Sequence, residues 1–502
     1  MKKAIYIFIL FIVTTSLLVS CKKAFVDIDP KGQFLSQNYY ADEAQAYAAL
    51  VGVYDPIRKN SGGFENMLAL MNSGSDDHFA GGGGATDGMQ LQAFSNYTMT
   101  ADLMAESYWN DPYQGIFRAN TLISKIEGVQ MSDAIKTRFS AEAKALRALY
   151  YFNLVRMFKN IPLLLEPLTA TNMYEVTQAD PAAIYTQIEK DLTEAIPGLP
   201  INLNTTEFGR LTRGAAKALL GKVYLYNKKN DLAAAQLAEV NGPTPGGTSI
   251  YGYKLLTNFS DLWVVSNKFN TESIIEETHT NKSNADWGFW GSGADEGNSY
   301  NVMVGPRSYS RPTVSTAPDL PSGWSFNVFT EDLYNTIKND PRFSATVFDL
   351  KALKTAGQAD YIEGYQNTGY FINKFLPRRS DVTTGGGATE LNYRQNTYVI
   401  RLADTYLMEA EALGGTGARA QALLNAVRAR VGLAPTPVSI AAIKQERRLE
   451  LAAEGHRWFD LVRWGDAVSK LSSRGFTAGK HEVFPIPSRE LRGTKLNQNL
   501  NY

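Results

Sequence analysis

"ERRLELAAEGHRWFDLVRWGD", residues 446–466, crowds five acids, four arginines, a histidine and two tryptophans into one short run. In helical register Glu446, Glu450 and Glu454 recur every four residues, and Arg457 follows three later. Glu–Arg pairs at such spacings stabilise a helix by ~0.2–0.5 kcal/mol each. Gly455 permits a bend or a change of helix. Beyond it, Arg457, Trp458, Asp460, Arg463 and Trp464 set planar guanidiniums beside carboxylates and indole faces, contacts for which arginine is the suited cation. Two readings compete. A catalytic site needs a group titrating near neutrality, and His456 is the only candidate. A structural clamp needs paired charges and large rings, which this stretch supplies throughout. The clamp is the reading preferred, with Glu454, Arg457, Trp458, Asp460, Arg463 and Trp464 as its members.

Outward from this stretch the chain reads as helix on both sides and loop between. Apolar residues recur three and four apart in "ADEAQAYAALVGVYDPIRK", "AESYWNDPYQGIFRANTLISKIE" and "SDAIKTRFSAEAKALRALYYFNLVRMF", then in "PAAIYTQIEKDLTEAIPGL" and "TRGAAKALLGKVYLYNKKNDLAAAQLAEV". The pattern returns in "NTYVIRLADTYLMEAEALGG", "ARAQALLNAVRARVGL" and "SIAAIKQERRLELAAEGHRWFDLVRWGDAVSKL". Helical blocks are thus expected over 40–240 and 397–475. Between them, about 241–396, glycine, serine, asparagine and aromatics dominate, which predicts loops and short strands with one helix near "NVFTEDLYNTIKNDPR". Leu220-Gly221-x-x-Tyr224 with Ala233 matches a tetratricopeptide helix pair, and Leu407, Met408, Ala420 and Leu424 repeat the spacing loosely. The fold expected is mostly α, a stack of helix pairs with an irregular, loop-rich face. Helices from both ends must cover one another's apolar faces, so residues 21–502 are expected to form a single body.

The N-terminus and composition narrow the function. "MKKAIYIFILFIVTTSLLVSC" has two lysines and then an uncharged apolar run, the pattern of a signal peptide over residues 1–20. Leu18-Val19-Ser20-Cys21 resembles a bacterial lipobox, which makes Cys21 the expected lipidation site. Cys21 is the only cysteine, so an intramolecular disulfide and a thiolate metal cluster are excluded. Fifty basic and fifty acidic residues cancel, and no basic tract favours nucleic acid. No His-Glu-x-x-His, Gly-x-Ser-x-Gly or dinucleotide-binding glycine pattern occurs, and the four histidines are scattered. No cofactor and no metal site is expected, and Asp76-Asp77-His78 reads as loop or ligand contact rather than a cation site. Carboxylate pairs for glycoside hydrolysis are numerous, and nothing singles one out.

Taken together, "ERRLELAAEGHRWFDLVRWGD", "CKKAFVDIDPKGQF", "YWNDPYQGIFRANTLISKI", "EAKALRALYYFNLVRMFKNIPL", "YVIRLADTYLMEAEAL" and "FPIPSRELRGTKLNQNLNY" resemble the SusD/RagB-like family of nutrient-binding outer-membrane lipoproteins of Bacteroidetes. The resemblance implies a non-enzymatic protein on a tetratricopeptide-like scaffold, lipid-anchored in the outer membrane and facing the cell exterior. It also implies a SusC-like TonB-dependent transporter as partner and an oligosaccharide as ligand, with a peptide as the alternative and a glycan-hydrolysing lipoprotein as the remote one. One departure stands out: Lys22 and Lys23 follow the cysteine where surface-exposed members often carry acids. The family does not fix ligand positions, so these come from loop location and residue type. Sugar rings need flat aromatic platforms beside polar groups. Trp287, Trp290, Tyr300 and Trp324 are expected as platforms, and Asp76, Asp77, Asn96 and Tyr97 as polar contacts and a further ring.

Overall fold

Helix starts are written locally in this chain. Asp42, Ser132, Thr212 and Ser439 each accept a hydrogen bond from the backbone N–H three residues on, and Asp180 from that of Ala182. Such caps are worth about 1 kcal/mol apiece. In the computed structural model, which describes residues 40–169, 171–284, 286–287, 296–382 and 385–502, they open the long helices of both blocks. The first block comprises α1 (Glu43–Tyr54), α2 (Met67–Ser73), α3 (Met89–Ser95), α4 (Ser107–Lys125), α5 (Asp133–Phe158), α6 (Pro181–Ala195), α7 (Arg213–Tyr226) and α8 (Asn230–Asn241). After β1 (Ser273–Glu277), α9 (Ser299–Val304), α10 (Glu331–Ile337), β2 (Val347–Asp349), β3 (Tyr370–Ile372) and β4 (Thr397–Arg401), the second block adds α11 (Leu402–Ala412), α12 (Gly417–Arg430), α13 (Ile440–Glu450), α14 (Arg457–Trp464) and α15 (Ala467–Leu471).

The helices stack in one series: α4 on α5, α5 on α6, α6 on α7, α7 on α8, then α8 on α11 and α11 on α12. The step from α8 to α11 skips about 160 residues of sequence without a break in the stack. Gly221 is required at the α7–α8 crossing, because a Cβ there would sit 2.6 Å from Leu237 Cγ. Tyr224 packs into the same crossing with Ala233 and Leu237, and Met408 of α11 closes it. Leu407, Ala420 and Leu424 are fully buried at the next pair. One apolar core runs from Ala46 in α1 to Ile486. The mostly helical, tetratricopeptide-like scaffold read from the sequence is the architecture observed.

The intervening segment leaves and returns through a clasp. β1 pairs antiparallel with β4, Glu277 opposite Thr397 and Ser273 opposite Arg401, so entry and exit strands are bonded to each other. Beyond the clasp, β2 and β3 pair antiparallel over a second small core of Leu320, Val328, Phe348 and Phe371. Two sequence expectations change here. Thr397–Arg401 is strand rather than the start of a helix, because its run of Thr, Tyr, Val and Ile favours extended backbone. Residues 446–466 are two helices, not one. α13 stops at Glu450, and Ala453 and Gly455 adopt left-handed backbone (φ 68° and 74°) before α14 begins.

Candidate functional site

The charged residues of 446–466 face inward. Glu450, fully buried, accepts from Arg342 Nε (2.8 Å) and Arg401 Nη1 (2.7 Å), and Arg430 also bonds it. Glu454 holds Arg401 through both carboxylate oxygens (2.8 and 2.9 Å) and Lys374 Nζ at 2.7 Å. Asp460 accepts from Arg447 (2.9 Å) and Arg463 (2.9 Å), and Trp464 Nε1 donates to Glu411 at 2.9 Å. Trp458 is buried against Phe94 and Phe484. Arg457 grips Asp76 with two bonds of 2.8 and 2.7 Å, and Arg448 Nε donates to Asp77 at 2.7 Å. Burial pushes the Glu450 carboxyl up, but Arg430, Arg401 and Arg342 outweigh it and hold it well below the usual carboxylate range. Burial drives the His456 imidazole down to about 4, so it stays neutral at pH 7. The stretch joins α13 and α14 to the loop after α2 and to β4. Glu454, Gly455, His456 and Phe459 line one side of a cavity between this stretch and the first helical block, and the one imidazole there is neutral.

An open face lies elsewhere, where the glycine-rich loop meets the 299–327 segment. Gly82 N–H donates to Ser325 O (2.8 Å), and Gly81 bridges Phe326. The approach is so close that a Cβ on Gly81 would lie 2.3 Å from Ser325 O. Over this junction sits an aromatic ledge. Trp324, half-buried, lies 5.9 Å from Trp287 at 33° and 6.3 Å from Phe64 at 45°. Phe326 supports Phe64 edge-on at 5.5 Å. Trp287 is 54 % exposed. Beside the ledge, Arg307 Nη2 donates to Asp87 Oδ2 (3.0 Å) and to Trp324 O (3.3 Å), and Asp87 also accepts from Gly83 N–H (2.7 Å). Both charged side chains remain about one-third exposed. Flat rings with a fixed polar rim suit a ligand with apolar faces and peripheral hydroxyls.

The structure therefore brings together only part of the expected ligand set. Trp287 and Trp324 meet. Trp290 lies outside the described residues, as does Cys21. Tyr300 is 0 % exposed, its hydroxyl accepting from Asn72 (2.7 Å) and donating to Asn327 (3.0 Å), so it offers no ring face to solvent. Tyr97 is likewise interior, packed on Phe94 and Phe476. Asp76 and Asp77 are held by Arg457 and Arg448 and bind the frame rather than face the ledge. Asn96 is exposed but caps the far end of α3, beside Gly475. Phe64, Asp87 and Arg307 were not chosen from the sequence. Asp87 had a signal, its place in "AGGGGATDG"; Phe64 and Arg307 had none. Among the described residues no cluster of His, Cys, Asp and Glu could hold a metal, and no helix is long and apolar enough to cross a membrane.

A stack of helix pairs thus carries an aromatic, loop-built face. Comparison with known proteins gives the family. The SusD family profile matches residues 290–480, and a profile described as starch-binding, associating with outer membrane, matches residues 48–225. A solved laminarin binding SusD-like protein is 62 % identical, with TM-score 0.91 over 92 % of this chain and 100 % of that one. Surface glycan-binding protein A from Bacteroides thetaiotaomicron, solved with laminarihexaose, shares the fold at 24 % identity, TM-score 0.80, over 91 % and 100 % of the two chains. SusD-like protein P25 from Formosa agariphila is 25 % identical over 97 % of this chain and 96 % of its own. The chain belongs to the SusD family.

Proposed function

We propose that this protein binds an oligosaccharide of the laminarin type on the Trp287–Trp324 ledge and does not cleave it. The observation that carries the reading is the indole pair with the Arg307–Asp87 rim: two ring faces and two charged groups beside a junction of the loop-rich segment with the glycine loop. Stacking on indoles is tolerant of ring orientation, and the rim supplies hydroxyl contacts. The 62 % identical laminarin binding relative supports a glucan rather than a peptide. The similar solved proteins are named for glycan binding, which supports binding without cleavage. Residues 1–20 are then the signal peptide, Cys21 carries the lipid that holds the 21–502 body at the outer membrane, and a SusC-like TonB-dependent transporter receives the bound glycan.

Calorimetric titration of laminarihexaose tests this. The wild type binds, and Trp324→Ala weakens binding at least about tenfold, roughly 1.4 kcal/mol of lost contact. Unchanged affinity in Trp324→Ala contradicts the site, whereas shortening of the hexaose on prolonged incubation contradicts the non-catalytic reading.

A further inference from the structure

A polar cavity, of about 330 Å³, opens in the loop-rich segment, with Trp263, Asn373, Lys374, Arg378, Asp381 and Gln395 among its lining residues. Its walls are set by bonds that leave little free. Lys374 lines it, but its ammonium is committed to Glu454 (2.7 Å) and the Glu450 carbonyl (3.0 Å). Gln395 donates to Lys374 O and accepts from Asn301, both at 2.7 Å. Asp381 is engaged by Arg394 at 3.0 Å. Asn373 donates to Ser344 O (2.7 Å) and accepts from Arg378 Nη2 (2.8 Å).

Arg378 stands apart from that pattern. Its guanidinium is half-buried, and among the described residues its one hydrogen-bond acceptor is the neutral amide of Asn373. No carboxylate lies within 4.0 Å of it among the described residues, whereas Arg342, Arg401 and Arg430 each hold two or more. Burial lowers its pKa, with Asp381 only partly compensating. Trp263 supplies a further wall of the cavity. A half-buried guanidinium bonded to a single neutral amide keeps donors that no protein acceptor satisfies. Five fork-shaped N–H groups match the two oxygens of a carboxylate, or two of a sulfate. The volume falls at the lower end of small-ligand pockets and suits one monosaccharide unit.

The cavity adjoins the ledge through backbone. Pro377 packs against Gly305, whose Cβ would lie 2.9 Å from Pro377 Cγ and 3.1 Å from Gly323 Cα. Arg378 follows Pro377, and Trp324 follows Gly323. We propose that this cavity is a second ligand site, which takes the oxyanion of an acidic sugar on Arg378. The sugar, though not the oxyanion, rests on the glycan-binding reading above.

The test uses the full mature chain and three probes: glucuronate, inorganic sulfate and glucose. By calorimetry glucuronate is expected to bind the wild type, and glucose, without a charge, to show no heat. Arg378→Gln weakens glucuronate at least tenfold. Asn373→Asp weakens it similarly by placing a carboxylate on the guanidinium, and stands in should Arg378→Gln not fold. Laminarihexaose affinity is unaffected by Arg378→Gln, and glucuronate affinity is unaffected by Trp324→Ala, so the two sites fail separately. No heat with glucuronate, or equal affinity in both Arg378→Gln and Asn373→Asp, overturns the proposal. Binding of sulfate but not glucuronate overturns the assignment to a sugar and points to a free anion.

Discussion

Asp87 and Arg307 meet at Trp324 although 220 positions separate them, and their bond fixes the rim of the ledge. In the binding mode proposed above, Arg307 reaches a sugar hydroxyl and Asp87 positions it. Removing the guanidinium costs a charge-assisted contact worth roughly 1.5–3 kcal/mol. Arg307→Ala is therefore expected to weaken laminarihexaose at least tenfold with little change in thermal midpoint, read by calorimetry and by thermal unfolding. A large stability loss with unchanged affinity would instead make Arg307 a frame residue. At this scale the sequence was a partial guide. Trp287 and Trp324 were chosen because large rings stood out among Gly, Ser and Asn, and the structure sets them side by side. Tyr300 was misplaced because "SYNVMV" folds into a short helix whose every residue is buried, a fact its loop-like surroundings hide. Asp76 and Asp77 were misplaced because their arginine partners lie some 370 to 380 residues away, and no local pattern announces such pairs.

At the scale of elements, α13 and α14 owe their placement to a buried ionic seam more than to pairs within one helix. Glu450 has three arginine partners, from the segments before β2, at the end of β4 and at the end of α12. Removing its charge leaves three buried guanidiniums each one carboxylate short, though Arg342 keeps Glu446, Arg401 keeps Glu454 and Arg430 keeps Glu272; breaking a buried pair costs about 3–5 kcal/mol. Glu450→Gln is expected to lower unfolding free energy by that amount in urea titration. A loss under about 1 kcal/mol would mean the seam is adequately hydrated or rearranges. Helix content and the helix-pair signature were legible because both depend on spacing within one segment. The break at Ala453–Gly455 was legible only as a permission, since Gly455 allows a turn without demanding one. The β1–β4 clasp was not legible, as its partners are over 100 residues apart.

For the whole molecule, acid should act in two stages. His78 is fully buried, its Nδ1 near Ser75 Oγ (3.3 Å) and its ring on Phe329, and burial, aided by Arg474, pushes its pKa down to about 3. A base whose folded pKa lies below its unfolded value of 6.5 contributes its full stability above that pH and loses it as pH falls. The loss from His78 is about 2 kcal/mol by pH 5, and His456, held near 4, acts in the same sense. Glu450 and Asp404, both held low by their cations, lose stability only below about 4.5 and 3.8, the unfolded values. Asp77 and Glu272, raised by burial, oppose this weakly, since protonation relieves them. Denaturant unfolding at pH 7.5 and pH 5 should show the first stage, reduced by about 2 kcal/mol in His78→Gln. Identical pH dependence in the variant would place the proton elsewhere.

The same separation of frame from face bears on function. Charges that the sequence displays most densely are consumed in holding helices together, and the groups of the proposed ledge come from loops whose partners only the fold reveals. A crystal structure of the mature protein with laminarihexaose tests that division most directly. Intact glucose rings lying on Trp324 and Trp287, with hydroxyls bonded to Arg307 or Asp87, are the expected result. Hexaose bound away from the ledge, or present only as shorter products, would contradict it.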